Sequence, residues 1–396
     1  MPNIDVLQQF TTFEPVTVDT LAEKLRLNME MLKEQDVYEH TLYKKWKEIQ
    51  EYRSRHNLAS IVKAKIWSPS DINDLEGTIA EIEALQPTIR YISPENPSLM
   101  SEWLMLRIFI SSAKFDQNPG RVLKFVIEDK VTGLYLGLSS ISSDVIAMGA
   151  RDKWLGWTKE NRLDDGFLKN SAIGTCIVAT QPLGYNFLGG KLMAAMLTAP
   201  EVRDSWEKVT ENPLVGMSTT SLYGIHSMYN GIPYWKTLGE TAGKIFLKPD
   251  EEIYKEFHHW LKEHHLEEYN RVTIREGIVG PVTGIKQKII TMMFQHAQLK
   301  PTRYSHGFSR GVFYCELYTN SKAYLRGEIG FDELVIKPRI DKGLDGVVEW
   351  WKIKAIRRYT KLHADGRLKP EMMYYDDMFD MTWEETKDRY IGEIGR

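Results

Sequence analysis

The chain holds only two cysteines, Cys176 and Cys315, in 396 residues. Both sit in apolar, strand-like stretches, AIGTCIVAT and GVFYCELY. A disulfide framework and a cysteine-based zinc site are excluded, and buried free thiols are expected. No apolar run approaches the ~18–20 residues that cross a bilayer, so no membrane association is expected. Met1 to Thr11 lacks a basic start followed by an apolar stretch. No secretory signal is expected, and a cytoplasmic location is. There is no Gly-x-Ser-x-Gly elbow, no Gly-x-x-x-x-Gly-Lys-Ser/Thr loop and no His-Glu-x-x-His run. Nothing therefore points to a serine hydrolase, a P-loop NTPase or a zincin. An excess of one charge is missing too: 51 Lys+Arg stand against 54 Asp+Glu, for a formal charge of −3. That balance gives no global nucleic-acid signature and leaves a local basic face open.

What is present is a globular composition, 42% hydrophobic and 27% charged. At about 100–200 residues per domain, two or three domains fit. The spacing predicts helices over Val18–Glu34, Val37–Tyr52 and Ile72–Leu85. Pro87, Pro94 and Pro97 then break the chain, which places a boundary near residues 90–100. Strand patterns follow at Arg121–Asp129, Leu134–Ile141, Ala172–Thr180, Pro213–Thr220 and Tyr234–Gly239. Gly184, Gly189 and Gly190 lead into a helix at Lys191–Thr198, and Tyr223–Asn230 reads as a short helical turn. Further on, helices are expected at Glu251–Tyr269, Ile285–Leu299 and Leu344–His363, with a strand at Gly311–Tyr318. The acidic stretch Tyr374–Asp380 reads as a partner or capping segment. The expected organisation is a helical region 1–98, an α/β core 99–250 and a mixed, mostly helical region 251–396 with a strand near 311–318.

Residues 121–243 carry GLYLGLSSISSDVIAMGARDKWLGW, GYNFLGGKL and STTSLYGIHSMYNGIPYWKTLGETAG. This stretch resembles the DUF4338 family, typified by the A component of the Druantia anti-phage system. The likeness extends more weakly to HGFSRGVFYCELYTNSKAYLRGE at His306–Glu328. The order of elements also resembles the GCN5-related N-acyltransferase fold. The fold class expected is thus α/β (α+β), with a mixed, largely antiparallel sheet and helical additions at both ends.

The acyltransferase resemblance implies an acyl-CoA-like donor at the loop after the third core strand. Its consensus, Arg/Gln-x-x-Gly-x-Gly/Ala, matches Gln181-Pro-Leu-Gly184-Tyr-Asn186, with Asn186 where a small residue is usual. Gly189 and Gly190 follow, and main-chain amides at the helix start would hold the pyrophosphate. It also implies a tyrosine acid for the departing thiolate, and HSMYNGIPYW offers Tyr229. The alternative is that Tyr229 packs its short helix on the sheet. In ARDKWLGW, Arg151 suits a phosphate, and Asp152 a general base or the holder of a nearby cation; Asp144 follows a strand, where loops place functional groups. The three would orient an acceptor amine, or else fix a loop crossing with Trp154 and Trp157 as packing. The hydroxyls of Ser218–Ser221, at a strand end, read as caps of a following helix, with bonding to a substrate as the alternative.

Two basic runs suit phosphate contact. One is Lys44, Lys45, Lys47, Arg53 and Arg55. The other is Lys352, Lys354, Arg357, Arg358 and Lys361, on a helix that also carries Trp350, Trp351 and Tyr359. The bland alternative for each is a solvated helix face. His258, His259, His264 and His265 read as surface histidines of a polar helix, since a metal needs convergent ligands, and no metal is expected. The expected function is a phage- or anti-phage-associated protein acting on DNA, in concrete form a base-modifying acyltransferase-like enzyme with Tyr229 as general acid. The alternatives are a non-catalytic DNA-binding or recruitment protein, or a metal-dependent nuclease using Glu128, Asp129 or Asp144.

Overall fold

The computed structural model describes residues 17–114, 120–222, 224–225, 227–241, 245–274, 285–306, 309–369 and 375–394. Contacts divide the chain into two compact units that do not follow its three expected regions: 1–36 with 243–308, and 37–242 with 309–396.

The larger unit is built on a sheet of seven strands. In chain order these are β1 (Pro87–Ile92), β2 (Val122–Asp129), β3 (Tyr135–Ser143), β4 (Ser171–Ala179), β5 (Gly216–Ser221) and β6 (Trp235–Glu240). Two short strands, β7 (Ile245–Phe246) and β8 (Ser305–His306), belong to the smaller unit, and β9 (Gly311–Glu316) returns to the sheet. The order is β1-β2-β3-β4-β5-β9-β6. Every neighbouring pair is antiparallel except β4 and β5. Those two are in register only from Ser171/Gly216 to Gly174/Thr219. Beyond that, β4 continues to Ala179 while β5 ends at Ser221.

The core strands follow the sequence patterns. The first does not: β1 lies where the prolines suggested a linker. Pro87 opens an edge strand, the place where a missing N–H breaks no ladder. The strand near the chain's last third, β9, is interior to the sheet rather than an appendage.

Period-2 alternation divides the core into two layers. In β2, Leu123, Phe125 and Ile127 point to one cluster and Val126 to the other. The first layer packs under helices Gln181–Phe187, Gly189–Met196, Pro200–Thr210 and Gly343–Ala364. The second packs under Val37–Glu51, His56–Lys63, Pro97–Ile110 and Trp383–Ile394. The acidic stretch is part of that second layer: Tyr375, Met378 and Phe379 are buried, and Gln50 donates to the Met378 carbonyl at 2.6 Å.

The smaller unit is helical: Val18–Glu34, Glu251–His264, Leu266–Thr273 and Ile285–His296, with the β7/β8 pair. The single helix expected over Glu251–Tyr269 is two helices that break at His265. Asn28 and Asp250 tie the first helix to the second by two hydrogen bonds of 3.0 Å.

Candidate functional site

The segment Gln181–Gly190 is not the open loop the motif implied. A helix starts at Gln181, directly after β4, because Thr180 is extended and Pro182 presets the first turn. Leu188 turns the chain in the left-handed region (φ 55°), and a second helix runs from Gly189 to Met196. Gly189 is required by close packing: a Cβ there would meet the Leu183 carbonyl at 2.6 Å and Ala179 at 2.7 Å. At Gly190 it would meet the Met228 sulfur at 2.6 Å. Asn186 is buried and clamps the backbone of Lys369, donating to its carbonyl at 3.0 Å and accepting from its N–H at 3.1 Å. Asn186, Gly189 and Gly190 are thus held by close packing within the fold. Gly184 is different, since a Cβ there would meet nothing within 4 Å.

The helix Gly343–Ala364 lies against this segment. Trp351 is fully buried and donates its indole N–H to the Phe187 carbonyl at 2.9 Å. Tyr359 packs on Phe187 and donates to the Ile72 carbonyl at 2.7 Å. These aromatics orient the helix so that Lys354, Arg357 and Lys361, spaced i, i+3, i+7, share an exposed face. Among the described residues, none of these three has an ion pair. Lys352 instead donates to the Glu83 carbonyl at 2.5 Å. Arg358 donates to the Tyr185 carbonyl at 3.2 Å and lies over its ring at 4.8 Å. Lys369 covers the same ring at 4.8 Å, and Tyr185 remains 40% exposed. Lys191 adds charge close by: burial first, then Lys354, pulls its ammonium below the ordinary lysine value. Residues expected to bind a donor and residues expected to bind nucleic acid therefore border one surface, where cations surround an exposed aromatic ring. That surface suits a phosphodiester chain with stackable bases.

Tyr229 lies deeper, on the same side of the sheet. It stacks on Trp235 at 5.2 Å and packs on Phe313 at 5.0 Å. Its hydroxyl reaches the Thr219 side chain, at the last residue of β5 in register with β4. The ring is buried, and burial pushes the phenol up from its ordinary value. Tyr229 thus stands where the strands part, within the apolar core.

Asp144, Arg151 and Asp152 form a network on the opposite side of the sheet. The guanidinium of Arg151 is 2.6 Å from Asp144 and 2.7 Å from Asp152. Ser171 and Ser218 donate to the two Asp144 oxygens at 2.7 and 2.8 Å, and the Val145 N–H donates at 2.8 Å. Arg162 pairs with Asp152 at 2.6 Å, and Arg151 lies over the Trp157 ring at 5.1 Å. Tyr314 of β9 reaches Ser171 at 3.4 Å. Burial pushes the Asp144 carboxyl up, against the pull of Arg151 and the serines. Ser218, expected as a helix cap, is an inner member of this network. Through Asp144, Arg151, Ser218 and Tyr314, the motifs SSDV, ARDKWLGW, STTS and GVFYCELY meet at one place, and the Trp157 indole N–H adds SKAYLRGE by donating to the Leu325 carbonyl at 2.5 Å.

This network cannot orient an acceptor for a group at Gln181. Ser171 and Ala179 are the ends of a nine-residue strand, which at ~3.3 Å per residue places them roughly 26 Å apart. Ser218 and Thr219 also point to opposite sheet faces, one toward Asp144 and the other toward Tyr229. The acids weighed for a nuclease do not assemble either. Glu128 forms a two-bond pair with Arg90 at 2.8 Å, and Asp129 accepts from Gln86 and Thr132. Both lie at the far end of the β2/β3 pair from Asp144.

Sequence reasoning missed a second charged cluster. Lys45 was read as part of a basic run, yet it is fully buried with Glu48 and Arg107. Arg107 grips Glu48 through two hydrogen bonds of 2.9 and 2.5 Å. Lys45 is 3.3 Å from Glu48 and also donates to the Ile108 carbonyl. Burial pushes Lys45 down to about 7 and the neighbouring Cys176 thiol up to about 12. The available signal was spacing: Lys45 stands three residues after Leu42 and four before Ile49, on the apolar stripe.

The fold and this site define a mixed α/β protein whose open sheet carries one short parallel pair, a buried Asp–Arg network on one face and a basic, aromatic-bearing surface on the other. The chain belongs to the Druantia protein DruA family, whose model matches residues 41–327. It is 26% identical over 233 residues to Druantia protein DruA of Escherichia coli (strain UMEA 4076-1), covering 54% of this chain and 55% of that one. The aligned stretch thus spans about half the length of that curated relative. No solved structure matches the chain. The family match takes in both buried charge clusters, Tyr185 and Tyr229, and stops before the helix Gly343–Ala364.

Proposed function

We propose that this chain is an anti-phage defence component that binds DNA through the surface made by Lys354, Arg357, Lys361, Arg358, Lys369 and Tyr185. The observation that carries this reading is the exposed row Lys354, Arg357 and Lys361 beside a ring already covered by two cations. Binding to a phosphodiester uses such cations directly, and it needs none of the convergence that transfer chemistry would. Family membership supports the defence role, since the resemblance is to a Druantia component.

The test is titration of labelled duplex and single-stranded DNA by fluorescence anisotropy at several salt concentrations. The wild-type protein should bind with an affinity that falls as salt rises. The combined variant Lys354→Gln, Arg357→Gln, Lys361→Gln should bind at least ~10-fold more weakly, with a salt slope reduced by about one per removed cation. Equal affinity and slope in the two proteins would overturn the proposal.

A second reading, acyl transfer with Tyr229 as acid, is favoured by the strand order and by the parting of β4 from β5 beside Tyr229. Both features belong to the acyltransferase-like topology. Calorimetry with acetyl-CoA separates the readings: DNA binding without any heat of CoA binding supports the first, and saturable CoA binding supports the second.

A further inference from the structure

We infer that His265, Glu268 and His296 form a binding site for a divalent transition-metal ion, with zinc the best match to the ligand set. The ligand atoms of these three side chains all lie within 4.8 Å of one another. The imidazole rings of His265 and His296 are 4.1 Å apart between centroids, and a Glu268 oxygen is 2.9 Å from His296 Nε2.

The backbone explains how they meet. His265 is the break between the helices Glu251–His264 and Leu266–Thr273, and Glu268 lies one turn into the second of these. His296 is the last residue of the helix Ile285–His296. Three helix ends thus bring two imidazoles and one carboxylate to one point. Trp260, only 8% exposed, forms a wall behind both rings, 4.9 Å from His265 and 5.8 Å from His296.

Two imidazoles held this close repel each other once protonated. The neutral ring is the form that ligates metal. Two nitrogens and one oxygen suit a borderline ion that keeps a fourth position for water, whereas magnesium and calcium prefer all-oxygen shells. The ion would pin the junction at His265 to the end of the helix Ile285–His296. The other histidines of this run have different partners: His258 bonds the Tyr269 hydroxyl at 2.9 Å, His264 Nδ1 is 3.1 Å from the Trp260 carbonyl, and His259 faces solvent beside Glu263.

The test uses the full chain, stripped with chelator and titrated with Co²⁺, then Zn²⁺. One Co²⁺ per chain should bind, giving visible d–d absorption that Zn²⁺ abolishes, and Trp260 should report binding through quenched fluorescence. His265→Gln and His296→Gln should each weaken binding at least ~10-fold, while His259→Gln should leave it unchanged. Far-UV circular dichroism of each variant confirms that the helices persist. No saturable binding, or binding as strong in both His265→Gln and His296→Gln as in the wild type, would overturn the inference.

Discussion

Replacing Asp144 with alanine should destabilise the larger unit by about 3–5 kcal/mol, the usual cost of leaving a buried charge without its partner. Arg151 is fully buried, and Asp144 is the carboxylate 2.6 Å from its guanidinium. Asp152 would remain, but it is already shared with Arg162. The hydroxyls of Ser171 and Ser218 would lose their acceptor as well. Urea unfolding followed by tryptophan fluorescence reads the loss, because Trp157 lies against Arg151. The double variant Asp144→Ala, Arg151→Met should recover part of it, since an apolar replacement removes the stranded charge. A loss below about 1 kcal/mol in the single variant would show that the network does not hold the strands together.

Stability should also rise with pH above neutrality on account of Lys45. One carboxylate, Glu48, faces two buried cations, and Arg107 takes it through two hydrogen bonds. Lys45 is left as the group that gives up its proton, at about 7 instead of 10.5. Between those values the unfolded chain binds a proton that the folded chain does not. Stability therefore increases with pH across that window, by up to about 1.4 kcal/mol per pH unit. Below it both states are protonated, and the full cost of burying the charge remains. Denaturant midpoints measured from pH 7 to 9.5 should climb in the wild type and climb less steeply in Lys45→Met. An identical slope in both proteins would rule out Lys45 as the source.

Most of the sheet was legible in the sequence, because β2, β3, β4, β5, β6 and β9 carry the alternation or apolar runs that strands require. The misses have local causes. Pro87 resembled a linker signal because a proline is compatible both with a chain break and with the first residue of an edge strand. His265 was hidden inside a helical pattern that continues on both sides of the break. At the site, the stretches SSDV and ARDKWLGW marked Asp144, Arg151 and Asp152 as special but not what they do. Their partners Ser171 and Ser218 are 27 and 74 residues from Asp144, a distance that only strand pairing closes. The burial of Tyr229 by Trp235 and Phe313 could not be read from spacing. No spacing pattern links His296 to His265, because they lie at the ends of different helices.

The basic helix was legible as a helix, while the division of its charges was not. Lys352 and Arg358 looked equivalent to Lys354, Arg357 and Lys361. Packing of Trp351 and Tyr359 turns the first two toward Glu83 and Tyr185 and leaves the other three outward.

Phage challenge of cells expressing this chain in its native gene context tests the central claim most directly. The account predicts that Lys354→Gln, Arg357→Gln, Lys361→Gln removes protection at normal protein level, whereas Tyr229→Phe retains it. Protection lost in Tyr229→Phe and kept in the charge variant would contradict it.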